Sequence, residues 1–240
     1  MTIDKSFIQK IEEMAVPHIH EENLISYTDK ALSIIFPPSA KSIQVCSLTS
    51  IIDYCERQLE KGISYILHIK DHETVVLMST LDLNYRNRET IVVGGSFPSK
   101  FDFDTFMSVD KFIIALQAYF VRDETVENIL KLVGNMTSST ELGTKDDGVT
   151  QRVEARVGLA KVENVSVPNP VFLAPYRTFL EIEQPASNFI LRLNSDHKCA
   201  LFEADGGFWK IAAMQSIKEY MTKAIESLPL EIKERITILA

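Results

Sequence analysis

The sequence predicts an α+β protein of mixed, largely antiparallel sheets with packed helices. Three observations carry this: β-rich segments come in runs instead of strict alternation with helices, other segments place apolar residues at helical spacing, and no internal repeat of fixed period occurs. A chain of 240 residues can bury a full core, and 45% hydrophobic with 24% charged residues is ordinary globular usage.

The elements follow in order. Asp4 to Ala15 sets Phe7, Ile8, Ile11 and Met14 on one helical face, and Pro17 ends that helix. Pro37 and Pro38 cannot donate ladder hydrogen bonds, so they separate a strand at Ala31 to Phe36 from one at Ser42 to Ser47. Ser50 is the expected cap of a helix carrying Ile51, Ile52, Tyr54, Cys55 and Leu59, with Gly62 at its end. Tyr65 to Ile69 and Thr74 to Met78 read as a hairpin around the polar turn Lys70 to Glu73, and "ETIVVGG" as a further strand. From Ser108 the period becomes helical, with Phe112, Ile113, Leu116, Tyr119 and Phe120. A second helix follows the Asp123 cap, carries Val126, Ile129, Leu130 and Val133, and is expected to end at Gly134.

Asn135 to Gly148, rich in Ser, Thr, Asp and Gly, reads as a loop and marks the expected boundary. It divides an N-terminal α+β region, 1–138, from a C-terminal β-rich region with a long C-terminal helix, 139–240. In the second region strands are expected at Val149 to Leu159, Ala160 to Val167, Val171 to Ala174, Arg177 to Glu183, Asn188 to Leu193 and Cys199 to Glu203. A helix from Gly207 to Leu228 aligns Ile211, Met214, Ile217, Met221, Ile225 and Leu228 on one face, and "RITIL" returns as a last strand.

A formal net charge of -8 argues against binding duplex DNA through many phosphate contacts. The start has no long apolar region and no run approaches a membrane-spanning length, so a cytoplasmic protein with no membrane partner is expected. Cys46, Cys55 and Cys199 lack metal or disulfide spacing and read as reduced core residues. His18-Ile19-His20-Glu21-Glu22 contains metal-binding types but reads as a solvated polar loop, and no EF-hand, P-loop or nucleophile-elbow pattern occurs. Catalytic residues, a metal and a cofactor are therefore not expected. Arg152, Glu154 and Arg156 alternate onto one strand face, where self-pairing is their simplest use.

Two stretches concentrate candidate binding residues. In "APYRTFLEIEQP", alternation from Pro175 sets Arg177, Phe179, Glu181 and Glu183 on one face and Tyr176 on the other. Pairing with the next strand through Gln184 to Ser187 would bring Arg192 onto the face of Arg177, as an ion-paired sheet face or the wall of a polar pocket. In "ALFEADGGFWK", Gly206 and Gly207 turn a strand into a helix whose free N–H groups could meet an anion, unless Asp205 caps them, with Trp209 just inside. The candidate ligand-binding set is thus Tyr176, Arg177, Phe179, Arg192, Gly206, Gly207 and Trp209.

"DDGVTQ" (146–151), "VPNPV" (167–171), "APYRTF" (174–179), "EIEQP" (181–185) and "ALFEADGGFWK" (200–210) together resemble an uncharacterised family of phage and prophage proteins, akin to the YfdQ-like group, over the C-terminal half. The resemblance implies a phage accessory protein in the cytoplasm of a bacterial host and brings no catalytic residues. Three functions follow as expectations. The first is a non-enzymatic counter-defence protein that sequesters a nucleotide-derived host immune signal, since aromatic faces stack on bases and guanidinium groups pair with phosphates. The second is an accessory factor of phage recombination or replication acting through contacts with a phage or host protein. The third is a metal-dependent nucleotide hydrolase. A homo-oligomer is compatible with each.

Overall fold

The fold is α+β with mixed, largely antiparallel sheets and packed helices. It is seen in a computed structural model that describes residues 4–22, 25–29, 40–82, 87–137, 141–146, 151–157, 161–194 and 196–240. The chain divides into two compact units, Met1–Ala40 and Lys41–Ala240.

In the first unit, helix α1 (Lys5–Ala15) is capped by the Asp4 side chain, which accepts from the Phe7 N–H. Strands β1 (Ile19–Glu22) and β2 (Ile25–Thr28) form an antiparallel pair, so the His18 to Glu22 stretch read as a loop supplies a strand. Phe7, Ile8, Ile11 and Met14, the expected apolar face of α1, are all exposed. The expected strand at 31–36 lies outside the described residues.

The second unit opens with β3 (Ile43–Val45) and α2 (Leu48–Gln58), followed by β4 (Tyr65–Ile69), β5 (Thr74–Ser79) and β6 (Thr90–Gly95). Helix α2 is capped by Ser47, not Ser50: the Ser47 hydroxyl accepts from the Ser50 N–H. It also stops at Gln58, so Gly62, at φ +80, serves the following turn. Next come β7 (Met107–Ser108), α3 (Val109–Tyr119) and α4 (Glu124–Thr137). Helix α4 runs past Gly134 to Thr137, tolerating a glycine in its interior at a cost of about 1 kcal/mol. Strands β8 (Glu141–Asp146), β9 (Gln151–Val157) and β10 (Lys161–Val167) then form an antiparallel meander, so the segment read as a loop contains a strand. The chain ends with β11 (Val171–Leu173), β12 (Ser187–Leu193), β13 (Lys198–Glu203), α5 (Trp209–Glu226), α6 (Leu230–Lys233) and β14 (Ile236–Leu239).

Two cores result. A five-stranded sheet, order β14-β4-β5-β6-β3, is antiparallel in the middle and parallel at both edges. It shares a core with α2, through Leu48, Ile51 and Cys55, and with α5. Helix α5 buries Trp209, Ala213, Ile217, Met221 and Ile225 at intervals of four, one face of a helix. Ile211, expected on that face, is 63% exposed. The second sheet, order β11-β12-β13-β7, is antiparallel and packs Phe189, Leu191, Leu193 and Leu201 against Phe112, Leu116, Ile129 and Val133 of α3 and α4. These helices precede residue 139 and those strands follow it, so one core draws on both sides of the expected boundary.

The segment between β11 and β12 joins the cores. Its first residues are stitched to the end of α3: Pro175 bridges Phe120, and the Tyr176 N–H donates to the Tyr119 carbonyl at 2.8 Å. Its middle sends Phe179 and Ile182 into the core of the five-stranded sheet. The Thr178 hydroxyl donates to the His72 carbonyl, and the Glu181 carboxylate accepts from the Leu48 N–H at 2.7 Å, the start of α2. The strand expected at 177–183 is absent. Gln184 takes the place of a partner strand: its side-chain carbonyl accepts from the Arg177 and Thr178 N–H groups, and its amide donates to the Phe179 and Ile182 carbonyls.

Candidate functional site

Arg177 is the centre of the site. Its residue is 6% exposed, and burial pulls the guanidinium down to about 10, against the pull of Glu203 and Asp205, so it stays charged at neutral pH. One amino group donates to Glu203 Oε1 at 3.0 Å, and the other to Ser187 Oγ at 2.7 Å and to the Pro185 carbonyl at 3.1 Å. The guanidinium carbon lies 3.7 Å from the Trp209 ring centroid and 5.6 Å from that of Phe189. These are cation–π contacts in a desolvated setting.

Beside this group lies a cavity of about 340 Å³. One wall is Pro175, Tyr176 and Arg177; another is Glu203, Trp209 and Lys210, where β13 turns into α5. The β4–β5 turn contributes His72 and Glu73, and the chain between β6 and β7 contributes Lys100, Phe101 and Phe103. Phe103 stacks on Phe189 at 5.2 Å, and Phe101 meets Phe120 edge-on at 5.1 Å, which anchors this wall to the core below. The charges are mixed. Lys100 Nζ pairs with Glu73 Oε1 at 2.9 Å and Arg177 with Glu203, while Lys210 has no carboxylate partner among the described residues.

Arg177 Nε and Trp209 Nε1 are buried N–H donors with no acceptor among the described residues. Buried donors in folded proteins almost always have partners.

Of the seven sequence-picked residues, the fold brings Tyr176, Arg177 and Trp209 onto this cavity. Phe179 is 1% exposed in the core of the five-stranded sheet and does not line it. Arg192 pairs opposite Ala200 in the β12–β13 register, and alternation puts it on the other face of β12 from Ser187 and Phe189, which Arg177 touches. The expected Arg177–Arg192 face does not form, because no strand exists at 177–183 and β12 pairs with β11 and β13. Gly206 and Gly207, at φ +64 and +82, shape a turn that brings Asp205 back onto the Gly207 and Trp209 N–H groups at 3.0 and 3.1 Å. Asp205 thus fills the place an external anion would take at the start of α5. Trp209 does not offer a bare face for a base, since Arg177 covers it; Tyr176 keeps a half-buried ring on the cavity wall.

Sequence reasoning missed His72, Glu73, Lys100, Phe101, Phe103, Glu203 and Lys210. Glu203 and Lys210 stand in the same "ALFEADGGFWK" stretch as Trp209 and were within reach. His72 and Glu73 read only as turn residues, and Lys100, Phe101 and Phe103 carry no local mark.

His72 lies edge-on to Trp209 at 4.7 Å. Burial lowers its pKa; Glu73 and Asp71 oppose this, and Lys210 and Lys100 reinforce it. The unfolded chain therefore binds this proton more readily, and unfolding free energy rises with pH between the lowered value and 6.5. Stability contributed here is full above 6.5 and is lost as pH falls below it. In urea melts of His72→Gln and the parent chain, the variant is expected to show the shallower loss between pH 7 and 5; parallel curves would remove His72 from the balance.

Cys55 and Cys199 are buried thiols pushed up to about 12, which leaves them unreactive, while Cys46, expected in the core, is exposed. The described residues include no group of three or more His, Cys, Asp or Glu side chains placed to hold a metal ion, and no helix long and apolar enough to cross a membrane. The side chains of Arg152 and Arg156 lie outside the described residues. Comparison with protein-family models, curated proteins and solved structures yields no match.

Proposed function

We propose that the protein binds a small anionic, ring-bearing ligand of nucleotide type in the cavity between Tyr176, Arg177, Lys100 and Lys210, and holds it without chemical change. The observation that carries this reading is the cavity lining, which sets Lys100, Lys210 and the edge of the Arg177 site beside the Tyr176 ring. Lys210 adds a cation with no carboxylate partner among the described residues, and the Tyr176 ring adds a surface on which a planar group can stack. About 340 Å³ lies near the small end of the ~300–1,000 Å³ usual for ligand sites, which suits one nucleotide unit. In the setting that the sequence resemblance implies, a phage-encoded protein in the host cytoplasm, such binding amounts to sequestration of a nucleotide-derived immune signal.

Isothermal titration of the full chain with AMP, GMP, CMP and UMP tests the reading. Saturable heat with at least one is expected, weakened about 10-fold or more by Lys210→Glu, a change at an exposed position. No heat from any of them at millimolar concentration would remove the reading.

The accessory-factor alternative is favoured by Phe208 and Ile211, which are 68% and 63% exposed and stand three residues apart at the start of α5. A phage recombinase or single-strand-binding protein recovered with the parent chain, and lost with Ile211→Glu, would favour it over ligand capture.

A further inference from the structure

A second cavity, of about 540 Å³, adjoins the first. The segment from Lys100 to Phe106 is the partition between them: Phe101 and Phe103 line the first cavity, Thr105 and Phe106 the second, and Lys100 lines both. The outer walls are also joined, because Tyr176, on the first cavity, donates its N–H to the carbonyl of Tyr119, on the second. The Lys100 ammonium reaches Glu73 at the rim of the first cavity, yet its side chain is 67% exposed.

The second cavity repeats the chemistry of the first. Phe106, Ile114 and Tyr119 supply aromatic and aliphatic surface, with Phe106 41% and Ile114 66% exposed. Thr105 and Ser108 supply hydroxyls, and the Ser108 side chain makes no capping bond to α3. Lys111 adds a second cation against the one acid of this wall, Asp102. A mononucleotide held in the first cavity would leave this surface bare.

We infer that the ligand has two ring-bearing halves, one in each cavity, joined by a phosphate link that lies at Lys100. This makes it a dinucleotide-like molecule and rests on the reading that the first cavity binds a nucleotide unit. Lys100 exchanges its surface pairing with Glu73 for the phosphate, a modest loss because exposed ion pairs contribute little. The second half gains its affinity from an event that has become intramolecular, so a two-part ligand exceeds a single unit without any new contact in the first cavity.

The test is calorimetric titration of the full chain with AMP and GMP and with the linear dinucleotides pApA and pGpG. With the accepted base, the dinucleotide is expected to bind at least about 10-fold more tightly than the mononucleotide. Phe106→Ala is expected to abolish that gain and leave mononucleotide affinity unchanged. Ile114→Ser, at an exposed position of α3, repeats the measurement without altering the partition. Equal affinity for the two ligand sizes, or variants that weaken both equally, overturns the inference and leaves the one-unit reading standing. Absence of binding by all four ligands overturns the inference, and the one-unit reading falls with it when CMP and UMP also give no heat.

Discussion

Replacing Gln184 by Leu is expected to lower the free energy of unfolding by about 3–4 kcal/mol, a large loss for a single polar side chain. Gln184 is 7% exposed and its amide does the work of a neighbouring strand. It accepts from the Arg177 N–H at 3.0 Å and the Thr178 N–H at 3.4 Å, and donates to the Phe179 carbonyl at 2.9 Å and the Ile182 carbonyl at 3.3 Å. Leu fills a similar volume and satisfies none of these groups, which water reaches poorly in a buried segment. Gln184→Glu sharpens the test. It keeps the acceptor for the two N–H groups but sets a carboxylate oxygen against two carbonyls, so its loss of stability is expected to shrink as the side chain takes up a proton at acid pH. Urea denaturation at pH 7 and pH 5 measures both effects, and a change under about 1 kcal/mol for Gln184→Leu would mean that the 177–184 segment holds its shape by other means.

Arg177→Met is expected to cost about 3 kcal/mol. Met retains the apolar stem, so the loss isolates the guanidinium. Ser187 Oγ and the Pro185 carbonyl lose their donor, and the Trp209 face loses the cation 3.7 Å above it. Glu203 suffers less, since its side chain is 35% exposed and water can replace the pairing. Arg177→Lys is expected to recover little of the loss, because an ammonium cannot reach three acceptors with a planar fork while lying flat on an indole. Chemical denaturation of both variants checks this. A cost below about 1 kcal/mol for Met would indicate that the price of desolvating the guanidinium cancels its bonds.

Much of the architecture was legible because it follows from short-range rules. The alternation in Tyr65 to Ile69 puts Tyr65, Leu67 and Ile69 inside, and the polar turn at Lys70 to Glu73 returns the chain as β5. The spacing of Ile217, Met221 and Ile225 marks the buried face of α5 over most of its length. The errors arose where a distant partner changed the local balance. Arg177 to Glu183 alternates like a strand, but Gln184 captures its backbone groups and the core of the five-stranded sheet takes Phe179 and Ile182 from it. Ile211, read onto the buried face of α5, stands two residues from both Trp209 and Ala213, about 200° around the helix, which puts it on the outer side.

The candidate site divides in the same way. Arg177 and Trp209 were conspicuous as a guanidinium and an indole in two proline- and glycine-punctuated stretches, but their stacking required the turn after β13 to meet the segment after β11. Lys100 and Phe103 gave no local signal and His72 reads only as part of a hairpin turn, since their place on the cavity comes from segments far apart in the chain. By itself the sequence determined the fold class, the central hairpin and the helices α3 and α4, because periodicity, capping and turn chemistry act over a few residues. Only the tertiary structure decided that Arg177 is buried against Trp209, that Phe179 belongs to the other core, that Asp205 closes the start of α5, and that Lys100 stands between two cavities. Burial and long-range pairing are properties of the assembled chain, and no short window of residues contains them.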